Sequence, residues 1–274
     1  MAACTLTQSF RQALPRYDRP HITAGTHISG STTASTDAPP FGVLAAPDDH
    51  VNRGHGTLAK VARTLDREYI FLPEASMAHL SEGYVARAAA MYLIHPINQA
   101  LSAIPDFNNS IQCLSEATFK GVRSDITFNR LVLGYESRCF AAVEFKKRGV
   151  IDENEFRRAL RTIDRKSPVD KLVADAHKQK GHPFFKDNSN KLMKQAGAYA
   201  IRHRTQYVAL FNWDYLILIR FPGLDPRLDS ETLGENGVGD FCELSILNYA
   251  THAHIMRVAL LGFLVQAYMK TPLT

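Results

Sequence analysis

The chain has 274 residues, 45% hydrophobic and 22% charged, which is room for one sizeable core with extensions. A formal net charge of +5 and a pI near 9.0 suit a polyanionic partner without requiring one. Four widely spaced cysteines (Cys4, Cys113, Cys139, Cys242) with no Cys-x-x-Cys argue against a zinc ribbon or a disulfide scaffold and suit a reducing compartment.

Residues 1–60 read as a disordered, low-complexity head. Gly25 to Pro40 is mostly Ser, Thr, Gly, Ala and Pro, which bury too little apolar surface to offset chain entropy. No signal-peptide apolar region opens it. Arg11, Arg16 and Arg19 against Asp18 leave a mitochondrial presequence as the lesser reading of this stretch. His50 and His55 lie near Asp48 and Asp49, but no regular spacing converges them on a metal.

Residues 65–274 read as the folded domain. Ser81 to Ser102 is expected to be a helix capped by Ser81, with Pro96 kinking or interrupting it. Three strands follow, at 111–119, 122–132 and 138–147, joined by short turns as an antiparallel meander. Residues 149–188 read as a helical insertion, with helices at 152–164 and 168–180. A helix at 190–204 and two apolar strands, 207–211 and 215–221, come next; Asn212-Trp213-Asp214 turns between those strands. A helical extension, 241–270, closes the chain. Its longest apolar run, Val258 to Met269, is interrupted by Gln266 and is too short to span a bilayer, so no membrane partner is expected.

The run Phe140-Ala-Ala-Val-Glu144-Phe-Lys146-Lys147 holds the first chemical signal. Strand alternation places Glu144 and Lys146 on one face of an otherwise apolar segment. Burying an unpaired carboxylate costs several kcal/mol, so that face is wet, ion-paired or metal-binding. Asp125 lies in the preceding strand, on the same face as Thr127 and opposite to Ile126 and Phe128. Gln195 and Tyr199, four apart, share one helix face.

This order of Asp, about twenty residues, Glu-x-Lys, then a helix bearing Gln195-Ala-Gly-Ala-Tyr199, resembles the PD-(D/E)XK nuclease superfamily. The Gln-x-x-x-Tyr element is similar to that of its RecB and lambda-exonuclease branch. The resemblance spans roughly residues 75–221. Ser124 departs from the motif's proline, and the insertion before the Gln helix must loop away from the site. The resemblance implies an α/β restriction-endonuclease-like core: a mixed central sheet flanked by helices.

It further implies a Mg²⁺- or Mn²⁺-dependent nuclease hydrolysing phosphodiester bonds, most often in DNA. Asp125, Glu144 and the Phe145 carbonyl would be the metal's oxygen ligands. Lys146 would orient the attacking water or stabilise developing charge, with Gln195 and Tyr199 supporting it. Glu82 occupies the place where some relatives add a carboxylate, although an acid also suits a helix N-terminus. Lys147, Lys194 and Arg202, with Arg148, Lys191 and Arg204 nearby, suit phosphate contacts. His252 and His254 read as solvated or helix-start residues. Two other functions are kept open: an inactive nuclease-fold module binding nucleic acid or protein, and an interaction protein using its apolar tail. The expected location is intracellular, in nucleus or cytoplasm.

Overall fold

The computed structural model describes residues 3–16, 42–45, 49–67, 69–71, 81–107, 110–119, 122–131, 134, 137–160, 185–239 and 241–272. The N-terminal elements are β1 (Ala3–Thr5), α1 (Leu6–Arg11), β2 (Gly42–Ala45), α2 (Asp49–Leu65) and β3 (Tyr69–Phe71). Next come α3 (Glu82–Ala89), a π-helical turn (Ala90–Ile94) and α4 (His95–Ser102). The central segment is β4 (Ile111–Phe119), β5 (Val122–Arg130), β6 (Arg138–Phe145), α5 (Glu153–Ala159) and α6 (Asp187–His203). It is followed by β7 (Tyr207–Phe211), β8 (Tyr215–Arg220), α7 (Ser230–Asn236), β9 (Phe241–Asn248), α8 (Tyr249–His252) and α9 (Met256–Lys270).

The main sheet has seven strands in the order β2-β9-β8-β7-β6-β5-β4. It is mixed: β6 with β7 and β2 with β9 are parallel, and the other pairs are antiparallel. The parallel β6–β7 pair needs a long crossover, which α5 and α6 supply. The expected meander is present as β4-β5-β6, and the β7–β8 hairpin turns at Asn212–Asp214. Trp213 takes that turn with φ +74 and is itself buried.

Helices cover both faces, giving an α/β layered fold. On one face α6 packs Leu192, Ala196 and Ala200 over Ala142, Val208 and Leu210. On the other, α9 and α4 cover Phe140, Val143 and Ala209. α9 is apolar all round, as a fully buried helix must be. It crosses α2 at backbone contact: a Cβ on Gly262 would lie 1.8 Å from the His50 carbonyl, and one on Gly54 would lie 2.1 Å from that of Val258. Only hydrogen fits there.

Ser81 caps α3 as expected. Pro96 has no N–H for the Tyr92 carbonyl four residues back, and the helix widens into its π turn there. The buried Arg257 of α9 donates to that Tyr92 carbonyl and also to those of Ser9 and Gln12, at 2.8 and 3.0 Å. One guanidinium thus ties α9 to α1 and to the irregular turn.

Three expectations are corrected. Much of residues 1–60 is not a disordered head. Leu6, Phe10, Leu14 and Val43 are buried, α2 lies along α9, and Trp213 donates to the Pro15 carbonyl at 3.1 Å. Gly25 to Pro40 lies outside the described residues. The extension 241–270 is not wholly helical: Phe241–Asn248 is a strand between β8 and β2, with Cys242, Leu244 and Leu247 buried. Its short apolar alternation fits a pleated surface. The apolar tail, expected to offer an interaction surface in one reading, is largely covered by the protein's own core, with Met269 left exposed. Of the insertion, α5 falls within the expected 152–164 helix, and 168–180 lies outside the described residues. Among the described residues, no helix is long and apolar enough to cross a membrane.

Candidate functional site

The site forms where β5, β6 and α6 meet. Ile126 pairs with Val143 and Thr127 with Ala142, a register that places Asp125 across from Glu144. Directly opposed residues in antiparallel strands share a face. The two carboxylates therefore stand on the same side of the sheet, beneath α6. Asp125 Oδ2 accepts from the Phe145 N–H at 2.7 Å, which fixes it against β6 just past the last ladder pair.

Glu144 is the centre. Its Oε1 accepts from Lys146 Nζ at 2.5 Å and from Gln195 Nε2 at 3.0 Å. The same Gln195 amide donates to the Tyr199 hydroxyl at 2.6 Å. Glu144, Lys146, Gln195 and Tyr199 are 5%, 7%, 5% and 1% exposed, so this chain of contacts lies in the interior. Glu144 Oε2 is buried and makes no hydrogen bond. Burial pushes the Glu144 carboxyl up to about 7, with Asp125 adding to the rise and Lys146 and Tyr199 opposing it. Burial and the Glu144 charge hold the Tyr199 hydroxyl protonated far above its usual range.

The sequence-selected residues divide by what surrounds them. Asp125, Glu144, Lys146, Gln195 and Tyr199 converge. Glu82, exposed in the first turn of α3, reaches within 4.0 Å of Lys146 Nζ, so it borders the site as well as suiting the helix terminus. Lys147 is exposed, and Lys194 and Arg202 are half-buried on α6. Arg148 is not available to a phosphate: it is buried, with Nε and Nη2 donating to Asp214 at 3.0 and 2.7 Å.

One neighbour escaped the sequence reading. His203 stands one further turn along the Gln195–Tyr199 face and meets Ser124, beside Asp125, with Nε2 and Oγ 3.1 Å apart. Burial lowers its pKa to about 4. The signal was present as a third member of the four-residue spacing.

Among the described residues, no three His, Cys, Asp or Glu side chains cluster closely enough to hold a metal ion. The donor set that the site does offer is two carboxylates and the Phe145 carbonyl, all hard oxygens of the kind Mg²⁺ prefers. The buried, unpartnered Glu144 Oε2 is the observation that fits a ligand there.

Comparison with protein-family models, with curated proteins and with solved structures gave no match in any of the three.

Proposed function

We propose that this chain is a divalent-metal-dependent nuclease with a restriction-endonuclease-like core, cleaving phosphodiester bonds in DNA. The observation that carries the reading is the buried chain Tyr199–Gln195–Glu144–Lys146, with Asp125 set across the strand from Glu144. Nothing in core packing calls for four buried polar side chains here. Burying such a network is costly unless each member is held, and the one atom left unheld is a carboxylate oxygen.

Asp125, Glu144 and the Phe145 carbonyl would hold Mg²⁺ or Mn²⁺, which when bound supplies positive charge to the phosphate and acidity to a water. Asp125 is aimed by the Phe145 N–H. Gln195 locks the Glu144 rotamer, and Tyr199 locks Gln195. Lys146 neutralises Glu144 in the metal-free protein. Its ammonium, poised between Glu144 and Glu82, is the group that would stabilise charge building on the phosphate or orient the water. Lys147, just past β6, and Lys194 and Arg202 on α6 would meet the flanking phosphates.

The test is strand cleavage on single- and double-stranded DNA and RNA, with Mg²⁺, Mn²⁺ or EDTA. Cleavage should require the metal and fall at least ~10²-fold in Lys146→Ala, the scale for removing a charge-stabilising group. An unchanged rate in that variant defeats the assignment. A second reading, a metal-independent binding module, is favoured by one feature: Lys146 already neutralises Glu144. It predicts DNA binding indifferent to Mg²⁺ and no cleavage by the wild type.

A further inference from the structure

At the end of β6 away from the carboxylates, strand register and shared carbonyl partners link several cationic side chains. Strand register sets Arg130 of β5 beside Arg138 of β6. Arg130 lies over the Tyr268 ring of α9, 4.2 Å from its centroid. Arg138 donates to the Pro272 and Pro226 carbonyls at 3.1 and 2.7 Å. Arg204, closing α6 in left-handed backbone at φ +55, donates to the Pro226 and Arg227 carbonyls at 3.4 and 3.3 Å. Arg227 and Lys270 are exposed and line, with Gln206 and Pro272, an open groove of about 430 Å³.

Hydrogen bonds to neutral carbonyls satisfy the donors but leave the charge. Asp225 is the acid within the groove, and Arg227 already holds it in a two-pronged pair. Asp229, four residues after Asp225, is engaged in capping α7. Burial and the neighbouring Arg204 lower the pKa of Arg138, the expected mark of crowded cations. The C-terminus of α9 offsets only part of this charge, about half an elementary unit. Arg138 and Arg204 are fixed behind the groove by the Pro226 and Arg227 carbonyls, and Arg227 and Lys270 are the cations that line it.

We infer that this groove binds a phosphate of a nucleic-acid backbone, as a contact separate from the carboxylate site. The inference rests on the nucleic-acid reading above. Arg138 and Glu144 are six residues apart on one strand, about 20 Å at ~3.3 Å per residue. That equals roughly six base pairs of duplex rise at ~3.4 Å each. β6 is covered on both faces, so its two ends are separate surface contacts rather than one track along the strand.

The test uses Arg227→Gln with Lys270→Gln, both solvent-exposed, leaving the loop-holding Arg138 and Arg204 intact. Affinity for a fluorescent duplex two turns long is measured in EDTA across a KCl series. The slope of log affinity against log salt should fall by about 2, near one for each lost phosphate contact. Lys60→Gln with Arg63→Gln, exposed cations on α2, removes the same charge elsewhere and should leave the slope unchanged. Cleavage at saturating duplex should stay at the wild-type rate. An unchanged slope in Arg227→Gln/Lys270→Gln overturns the groove and leaves the nuclease reading standing. So does an equal fall in the α2 control, which would make the effect one of net charge. A reduced slope in a wild type that never cleaves supports the groove and overturns the nuclease.

Discussion

Under α9, Arg257 is 4% exposed and is held by three main-chain carbonyls; under α6, Glu144 is 5% exposed and one of its oxygens has no hydrogen-bond partner. Both charges are deep in the same sheet sandwich, one on each face. The first ties separate pieces of backbone together, so its burial serves the fold. The second is surrounded by side chains that orient it: Lys146, Gln195 and Tyr199. Its burial raises the energy of its own charged form. Polar burial that ties backbone together and polar burial that holds a charged side chain in one orientation are therefore separable by mutation.

The largest effect is expected at Arg257. Arg257→Met keeps a long apolar stem but orphans the carbonyls of Tyr92, Ser9 and Gln12. Each unsatisfied buried group costs about 1–3 kcal/mol, giving a total near ~4 kcal/mol. For a domain this size that lowers Tm by roughly 10 °C. DNA cleavage per folded molecule, assayed below the transition, should remain. A melting temperature within two or three degrees of wild type (~1 kcal/mol) would show that water replaces the guanidinium and that Arg257 does not join the helices.

The next effect is at Glu144 and has the opposite character. The carboxyl titrates near 4.5 in the unfolded chain and at about 7 in the folded one. The native state holds this proton more tightly. Its contribution to stability is therefore full below pH 4.5 and is lost as pH rises through 7. The loss is on the order of 3 kcal/mol, at ~1.4 kcal/mol per tenfold change in proton affinity. Glu144→Gln removes the titration while keeping the shape. In urea melts with EDTA, the variant should gain on wild type between pH 4.5 and 7, and should be inactive. Parallel stability curves for the two proteins would mean that Glu144 is not held in a raised state.

The same contrast explains what the sequence displayed and what it hid. The strands Ile111–Phe119 and Tyr207–Phe211 were legible residue for residue, the first because Lys120-Gly121 closes it and the second because an apolar aromatic and β-branched run before a turn has few alternative structures. The five converging residues were legible as polar side chains at apolar positions with strand or helix spacing. α2 was hidden because Gly54 and Gly56 weaken the helical signal, and most of 49–65 fell within the stretch read as a disordered head. Gly54 is there for the approach of α9, a long-range demand that local propensity cannot reveal. β9 was hidden because a short apolar run fits strand or helix equally until a neighbouring edge is known. Arg257 was hidden because its partners are backbone carbonyls up to 248 residues away.

The smallest effect is at Tyr199, and it probes how the two kinds of burial meet in one network. Its hydroxyl accepts from Gln195 and lowers the Glu144 pKa by hydrogen bonding, while its ring fills the core beneath α6. Tyr199→Phe keeps the ring and removes only the hydroxyl. Stability should change by less than ~1.5 kcal/mol, the range for one net hydrogen bond. With that hydrogen bond gone, the Glu144 carboxyl rises further. The pH at which the wild-type protein finishes losing the Glu144 contribution should then move upward in the variant. Gln195 still donates to Glu144, so cleavage should drop only several-fold, well short of the loss in Lys146→Ala. A loss as deep as that of Lys146→Ala would make Tyr199 a participant in the reaction. An unmoved pH midpoint would show that the hydroxyl is uncoupled from Glu144 and that the ring alone earned its place in the core.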